Sequence, residues 1–116
     1  MSSPEEAGAA VQRALLACMG PGAAEALALA QARLAWQETV ADAGLARAGL
    51  SSRLVGVSGG TAQVEAAEAI LAQELTLRAD ALTHAVNQRM RGRPGATIVL
   101  RGLAISVGRG RMERSL

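Results

Sequence analysis

The chain reads as a single small α+β domain in which helices pack on a three-stranded sheet, in the order α–α–β–β–α–β. Three observations carry that reading. Thr61–Ala66 alternates apolar and polar residues with period two, the signature of a strand with one buried face. From about Glu68, Leu71, Leu75, Leu82 and Val86 recur at intervals of four, seven and four, which is one face of a helix. Between Val57 and Thr61, Ser58-Gly59-Gly60 supplies a tight reversal. With 116 residues, half of them hydrophobic, the chain suits one domain with a modest core.

The elements follow in order. Ser3 and Glu6 form a capping box around Pro4, which fits a first helical position. Val11, Leu15 and Cys18 then repeat at helical spacing with Ala14 beside them. Cys18 reads as a small core residue, since no other Cys is present to pair with it. Gly20-Pro21-Gly22 separates this helix from a second, Ala23 to Ala41, rich in the best helix formers. Leu29, Arg33, Trp36 and Val40 form one stripe of that helix, and Leu27, Ala30, Leu34 and Ala41 another, so contacts on two sides are expected. Gly44 and Gly49 mark a connection. Leu54–Val57 is the first strand and Thr61–Ala66 its return, with Ala62, Val64 and Ala66 sharing one face. The third helix carries Arg78 on its apolar stripe and ends at Gly92 and Pro94. Ala96–Val107 reads as the last strand, with Gly102 as a bulge or kink. Residues 108–116 form a short basic tail.

The core these elements enclose is unusual. There is no Phe or Tyr and a single Trp, so burial rests on Leu, Val, Ile, Met and Ala. Trp36 is first a core anchor; as the sole aromatic it is also the candidate contact for a protein partner.

Charge is uneven. All twelve basic residues are Arg, and the formal net charge is +2. Residues 1–77 carry four Arg against eight acids, a net of −4, whereas residues 78–116 carry eight Arg against two acids, a net of +6. A polyanion partner for the C-terminal third follows from this asymmetry. Arg78, Arg89, Arg91, Arg93, Arg101, Arg109 and Arg111 are the candidate phosphate contacts, with Arg114 beyond them. With no Phe or Tyr to stack on bases, recognition by base stacking is disfavoured and sequence-independent, salt-sensitive binding is expected.

Enzymatic chemistry finds little footing. His84 is the only His and stands in mid-helix without a nucleophile beside it. One His and one Cys do not make a zinc site, and no acidic run has EF-hand spacing. Glu65 and Glu68 straddle a strand–helix boundary and read as surface acids near a helix N-terminus. No GxxxxGK[ST] phosphate loop occurs, so neither a cofactor nor a small-molecule substrate is expected. Gly92-Arg93-Pro94-Gly95 matches the GxxG loop of KH domains, but it joins a helix to a strand and reads as a helix stop. Gly108-Arg109-Gly110-Arg111 is too short an RG run to be specific. No apolar run approaches the roughly 20 residues that span a bilayer, and the N-terminus lacks a signal-peptide core.

Leu34-Ala35-Trp36 with Val40 and Ala41; Leu45-Ala46-Arg47; Gly60 with Ala62, Val64 and Ala66; Ala72-Gln73-Glu74-Leu75 with Leu77-Arg78; Val86-Asn87; and Ile98-Val99-Leu100-Arg101 form an ordered set of motifs. That set resembles the bacterial DciA family, helicase loaders or operators whose N-terminal domain is KH-like. The match covers roughly residues 10–107. Departures are Ala41 where the family often has Gly, Ala62 where it has Leu, and Leu71 near a family Trp. Many members also extend further at a basic C-terminus, whereas this chain ends nine residues after Val107.

The resemblance implies a KH-like domain over residues 1–107 that is not an enzyme. It further implies binding to DNA, single-stranded DNA included, contact with the DnaB-type replicative helicase, assistance in its loading during DNA replication, and a bacterial, cytoplasmic, nucleoid-associated setting. Two other readings stand beside it: a stand-alone KH-like RNA binder, and a homo-oligomeric interaction protein whose basic end only solubilises it.

Overall fold

The computed structural model describes residues 21–46 and 51–108. The first expected helix, with Cys18, lies outside those residues, as do Arg109, Arg111 and Arg114. Over the described residues the order is α1 (Pro21–Asp42), β1 (Ser52–Ser58), β2 (Thr61–Ala66), α2 (Ala69–Leu77), α3 (Ala79–Met90) and β3 (Gly102–Val107). This is an α+β fold, three helices on a three-stranded sheet of strand order β1-β2-β3.

The long helix α1 starts at Pro21, whose ring fixes φ where a first helical residue needs it. It stops in a Schellman turn: Gly44 takes φ 73°, its N–H donates to the carbonyl of Ala41 at 3.2 Å, and the Leu45 N–H donates to the carbonyl of Val40 at 2.8 Å. Leu45 is buried, which is the hydrophobic contact that accompanies this turn. The buried stripe of α1 is Ala28, Ala32, Ala35, Trp36, Thr39 and Val40. The second stripe expected from the sequence is corrected here. Ala30, Leu34 and Ala41 face solvent, whereas Leu27 packs against Gly95; the small alanines on the other side let the helix settle closely on the sheet.

Gly59 and Gly60 take φ of 58° and 84°, the positive values a two-residue hairpin between β1 and β2 requires. The two strands pair antiparallel, with Leu54 opposite Val64 and Val57 opposite Ala62, and a bulge between Leu54 and Gly56 keeps both Leu54 and Val57 on the core side. β2 and β3 pair in parallel, Val64 opposite Ile105, and a parallel pair needs a crossover. Helices α2 and α3 supply it.

They are one helix in the sequence reading and two in the structure. At Arg78 the backbone turns aside (φ −104°, ψ 12°), so that α2 lies against β2 and β3 while α3 reaches α1. Leu71, Leu75, Leu82 and Val86 are all buried, so the apolar stripe survives the break. Arg78 itself turns outward and pairs with Glu74 at 3.0 Å.

The last strand is also shorter than expected. Residues 96–100 do not pair, and Gly102 begins β3 instead of bending it. The cause is Asn87. Its Nδ2 donates to the Leu100 carbonyl at 2.9 Å, and the Leu100 N–H donates to its Oδ1 at 2.8 Å. A side chain thus takes the backbone groups a neighbouring strand would have used. Upstream, Gln31 Nε2 holds the Pro94 carbonyl at 3.1 Å, and Gly95 (φ 77°) lies under Leu27, whose Cγ would stand 2.7 Å from any Cβ there.

Gly95→Ala therefore meets both a strained backbone and a filled space. Stability is expected to fall by about 2 kcal/mol, read as a lower urea midpoint at unchanged m-value.

Candidate nucleic-acid interface

The arginines proposed from the sequence separate into different environments. Arg89, in the last turn of α3, donates from Nη1 to Glu38 Oε1 at 3.4 Å and from Nη2 to Asp42. Arg93, just past the helix, pairs with the same Glu38. Two guanidinium groups and two carboxylates thus neutralise one another between α1 and the exit of α3. The two pairs to Glu38 are half-buried and are screened less by solvent than exposed pairs, whereas Asp42 is exposed. Glu38 and Asp42 stand four apart on α1, so they share a face; Arg89 meets them from the last turn of α3, and Arg93 from beyond Gly92, where the backbone is no longer helical. The acids and the arginines are some fifty residues apart in the sequence, and only the tertiary fold brings them together.

Glu38 is held below the ordinary carboxylate value of 4.5. The hydrogen bond from Arg93 is the largest cause. Partial burial opposes it, and the charges of Arg93 and Arg89 and the hydrogen bond from Arg89 add to the lowering. One nitrogen of Arg93, Nη1, is buried without a partner.

Arg78, at the α2–α3 break, is matched by Glu74. That leaves Arg91 and Arg101, both exposed, with no acidic partner among the described residues. Both follow closely in the chain on residues of the Asn87–Leu100 contact. Arg91 is one helical turn beyond Asn87, and Arg101 follows Leu100, the residue that Asn87 grips. The stem of Arg101 runs over Gly60 at the hairpin tip, where its Cγ would stand 3.1 Å from a Cβ. A Cβ there would press on that stem, and the positive φ of 84° favours glycine as well.

The sequence reading placed Arg33 only on a stripe of the second helix and did not name Arg53. Arg33 reaches from α1 to donate to the carbonyls of Leu54 (3.1 Å) and Val55 (3.0 Å) at the β1 bulge, so its charge meets dipoles and no carboxylate. Arg53 pairs across the strands with Glu65 at 2.9 Å. With Gln37, Leu54 and Val55 the two line a shallow groove.

Trp36 is completely buried, and its indole N–H donates to Ser52 Oγ at 3.0 Å. The ring offers no surface to a partner in this structure. The Gly92–Gly95 segment is a run of turns: Arg93 N–H donates to the Met90 carbonyl and Ala96 N–H to that of Arg93, each at 3.1 Å. With Gly95 pressed against Leu27, this segment has no room for a nucleic-acid backbone at its second glycine. His84 is exposed beside Gln88. Among the described residues no group of three His, Cys, Asp or Glu side chains converges to hold a metal, and no helix is long and apolar enough to cross a membrane.

No family model, curated protein or solved structure matches the chain.

The depressed Glu38 sets a sign for acid stability. A carboxyl whose value falls on folding stabilises fully above its unfolded value and loses that contribution as pH drops through the folded one. The stability difference between the native chain and Glu38→Gln should be present at neutral pH and shrink as pH falls below 4.5, as followed by urea unfolding across pH.

Proposed function

We propose that this protein binds nucleic-acid backbones without sequence preference through Arg91 and Arg101, aided by Arg109 and Arg111, and that it does so as a DciA-like, non-catalytic partner of a DnaB-type replicative helicase, assisting its loading on DNA. The observation that carries the binding half is the placement of two unmatched, exposed guanidinium groups beside the Asn87–Leu100 contact, at the start of the strand that leads into the arginine-rich C-terminus. Guanidinium forks fit phosphate oxygens in two-pronged geometry. The absence of Phe and Tyr from the chain removes the ring platforms that would read bases. Arg89 and Arg93 belong to the fold more than to the interface on this reading, because a phosphate would have to displace Glu38 and Asp42 to reach them. The helicase half rests on the resemblance in residues 10–107 and on the α+β architecture that accompanies it.

Two measurements test the halves separately. Arg91→Glu with Arg101→Glu should weaken binding to single- and double-stranded DNA of any sequence. The slope of log affinity against log salt should fall by about one for each phosphate no longer neutralised. Unchanged affinity in that double variant would remove the proposed surface, and a marked preference for RNA would turn the reading toward an RNA binder. Affinity capture of the tagged chain from its native cells, read by mass spectrometry, should recover the replicative helicase. Capture without helicase would remove that partner while leaving the DNA result standing.

A further inference from the structure

Helix α2 carries apolar side chains on two sides. Leu71 and Leu75 are buried, whereas Ile70 is 67% and Leu77 75% exposed. Ile70 and Leu77 stand seven residues apart, so they share a face and lie roughly 10 Å from one another along the axis. The helix contacts β2, β3 and α3 but neither α1 nor β1, and among the described residues nothing covers that face.

The chain leaves the described fold beside the start of this helix. The Gly108 N–H donates to the Ala66 carbonyl at 2.8 Å, and α2 begins at Ala69. Val107, opposite Ala66 at the end of β3, is 37% exposed, so apolar surface reaches the point of exit. Two stretches of chain run out from that one hydrogen bond. Ile70 lies four residues beyond Ala66, and Met112 lies four beyond Gly108. Leu116 is four further on, a reach of roughly 13 Å in extended chain, which is enough to pass from Ile70 to Leu77. Gly108 and Gly110 allow the reversal this path needs.

Charge agrees with spacing. Residues 109–116 carry three Arg and one Glu. Glu68, exposed just before α2, gives the helix no side-chain cap and has no ion-pair partner among the described residues.

We propose that residues 109–116 fold back along α2 of the same molecule, with Met112 on Ile70, Leu116 on Leu77, and Arg109 and Arg111 beside Glu68. A polyanion then has to displace Glu68 to reach those two arginines, so the docked segment restrains binding. That consequence rests on the function proposed above; the docking does not.

Trypsin reads the segment directly, because it cuts after Arg and the chain contains no Lys. In the folded full chain without nucleic acid, cleavage between Arg111 and Met112, followed by mass spectrometry, is expected to be slow, with one rate constant from about 1 to 100 μM protein. Ile70→Asp, Leu77→Asp and Leu116→Asp should each raise that rate about fivefold. Circular dichroism should be unchanged in the first two, whose side chains are exposed. Leu34→Asp, on the exposed back of α1, is the control and should leave the rate as it is. Leu77→Asp with Leu116→Asp should be no faster than the quicker single variant, since both remove one contact. Equal rates in the wild type and all variants overturn the proposal, as does additivity in the double variant. Protection that is lost on dilution also overturns it and gives the face to a second copy. With no nucleic acid in the assay, each of these failures leaves the proposed DNA binding standing.

Discussion

A core with one aromatic ring holds together by closeness. Ala28, Ala32 and Ala35 let α1 approach the sheet, and Trp36 fills what remains. A buried indole needs a partner for its N–H, and here it is the hydroxyl of Ser52, the first residue of β1. Gln37, one residue on, takes the Ser52 carbonyl. The seat of α1 on the start of β1 is therefore fixed by packing and by hydrogen bonds at the same place. Much else depends on it. Arg33 reaches the bulge, Gln31 holds the loop before β3, and Glu38 with Asp42 receives the end of α3, all from positions set once α1 is docked. Close packing leaves little slack to absorb a methyl group removed or added.

Electrostatics looks different once the chain is folded. Along the sequence, acids lie early and arginines late. In space, part of that separation closes on itself, because α1 brings two acids to the exit of α3. Arg78 and Arg53 are matched locally by Glu74 and Glu65. Among the described residues, the arginines without an acidic partner are Arg33, whose guanidinium meets backbone carbonyls, and Arg91 and Arg101, which face solvent.

Much of the fold was legible because it is written in short-range patterns. The Gly59-Gly60 turn, the alternation of β2 and the stripe through Leu71, Leu75, Leu82 and Val86 are periodicities of two and 3.6 that a few neighbouring residues suffice to establish. The break at Arg78 was not legible. Neither Gly nor Pro stands at residues 77–79, and the direction of each half is set by what it packs against. The shortened last strand was hidden for a related reason. Ile98 and Leu100 alternate as a strand would, but Asn87 claims the backbone of Leu100. On α1, hydrophobicity favoured Leu27 and Leu34 as a second contact stripe, whereas small volume decided which side approaches the sheet. For the site, residue type was informative and pairing was not. Arg89 and Arg93 have the same composition signal as Arg91, and only the tertiary fold separates cations that hold helices together from cations that face water.

The guarded edge at β1 limits what the molecule can build. A sheet open at both sides accepts neighbours at each and can lengthen into a fibre without end. Here Arg33, Gln37 and the bulge at Val55 shut one side. A second chain finds no free run of backbone carbonyls along that strand. The same three features that complete the hydrogen bonding of β1 therefore also protect the protein against runaway polymerisation.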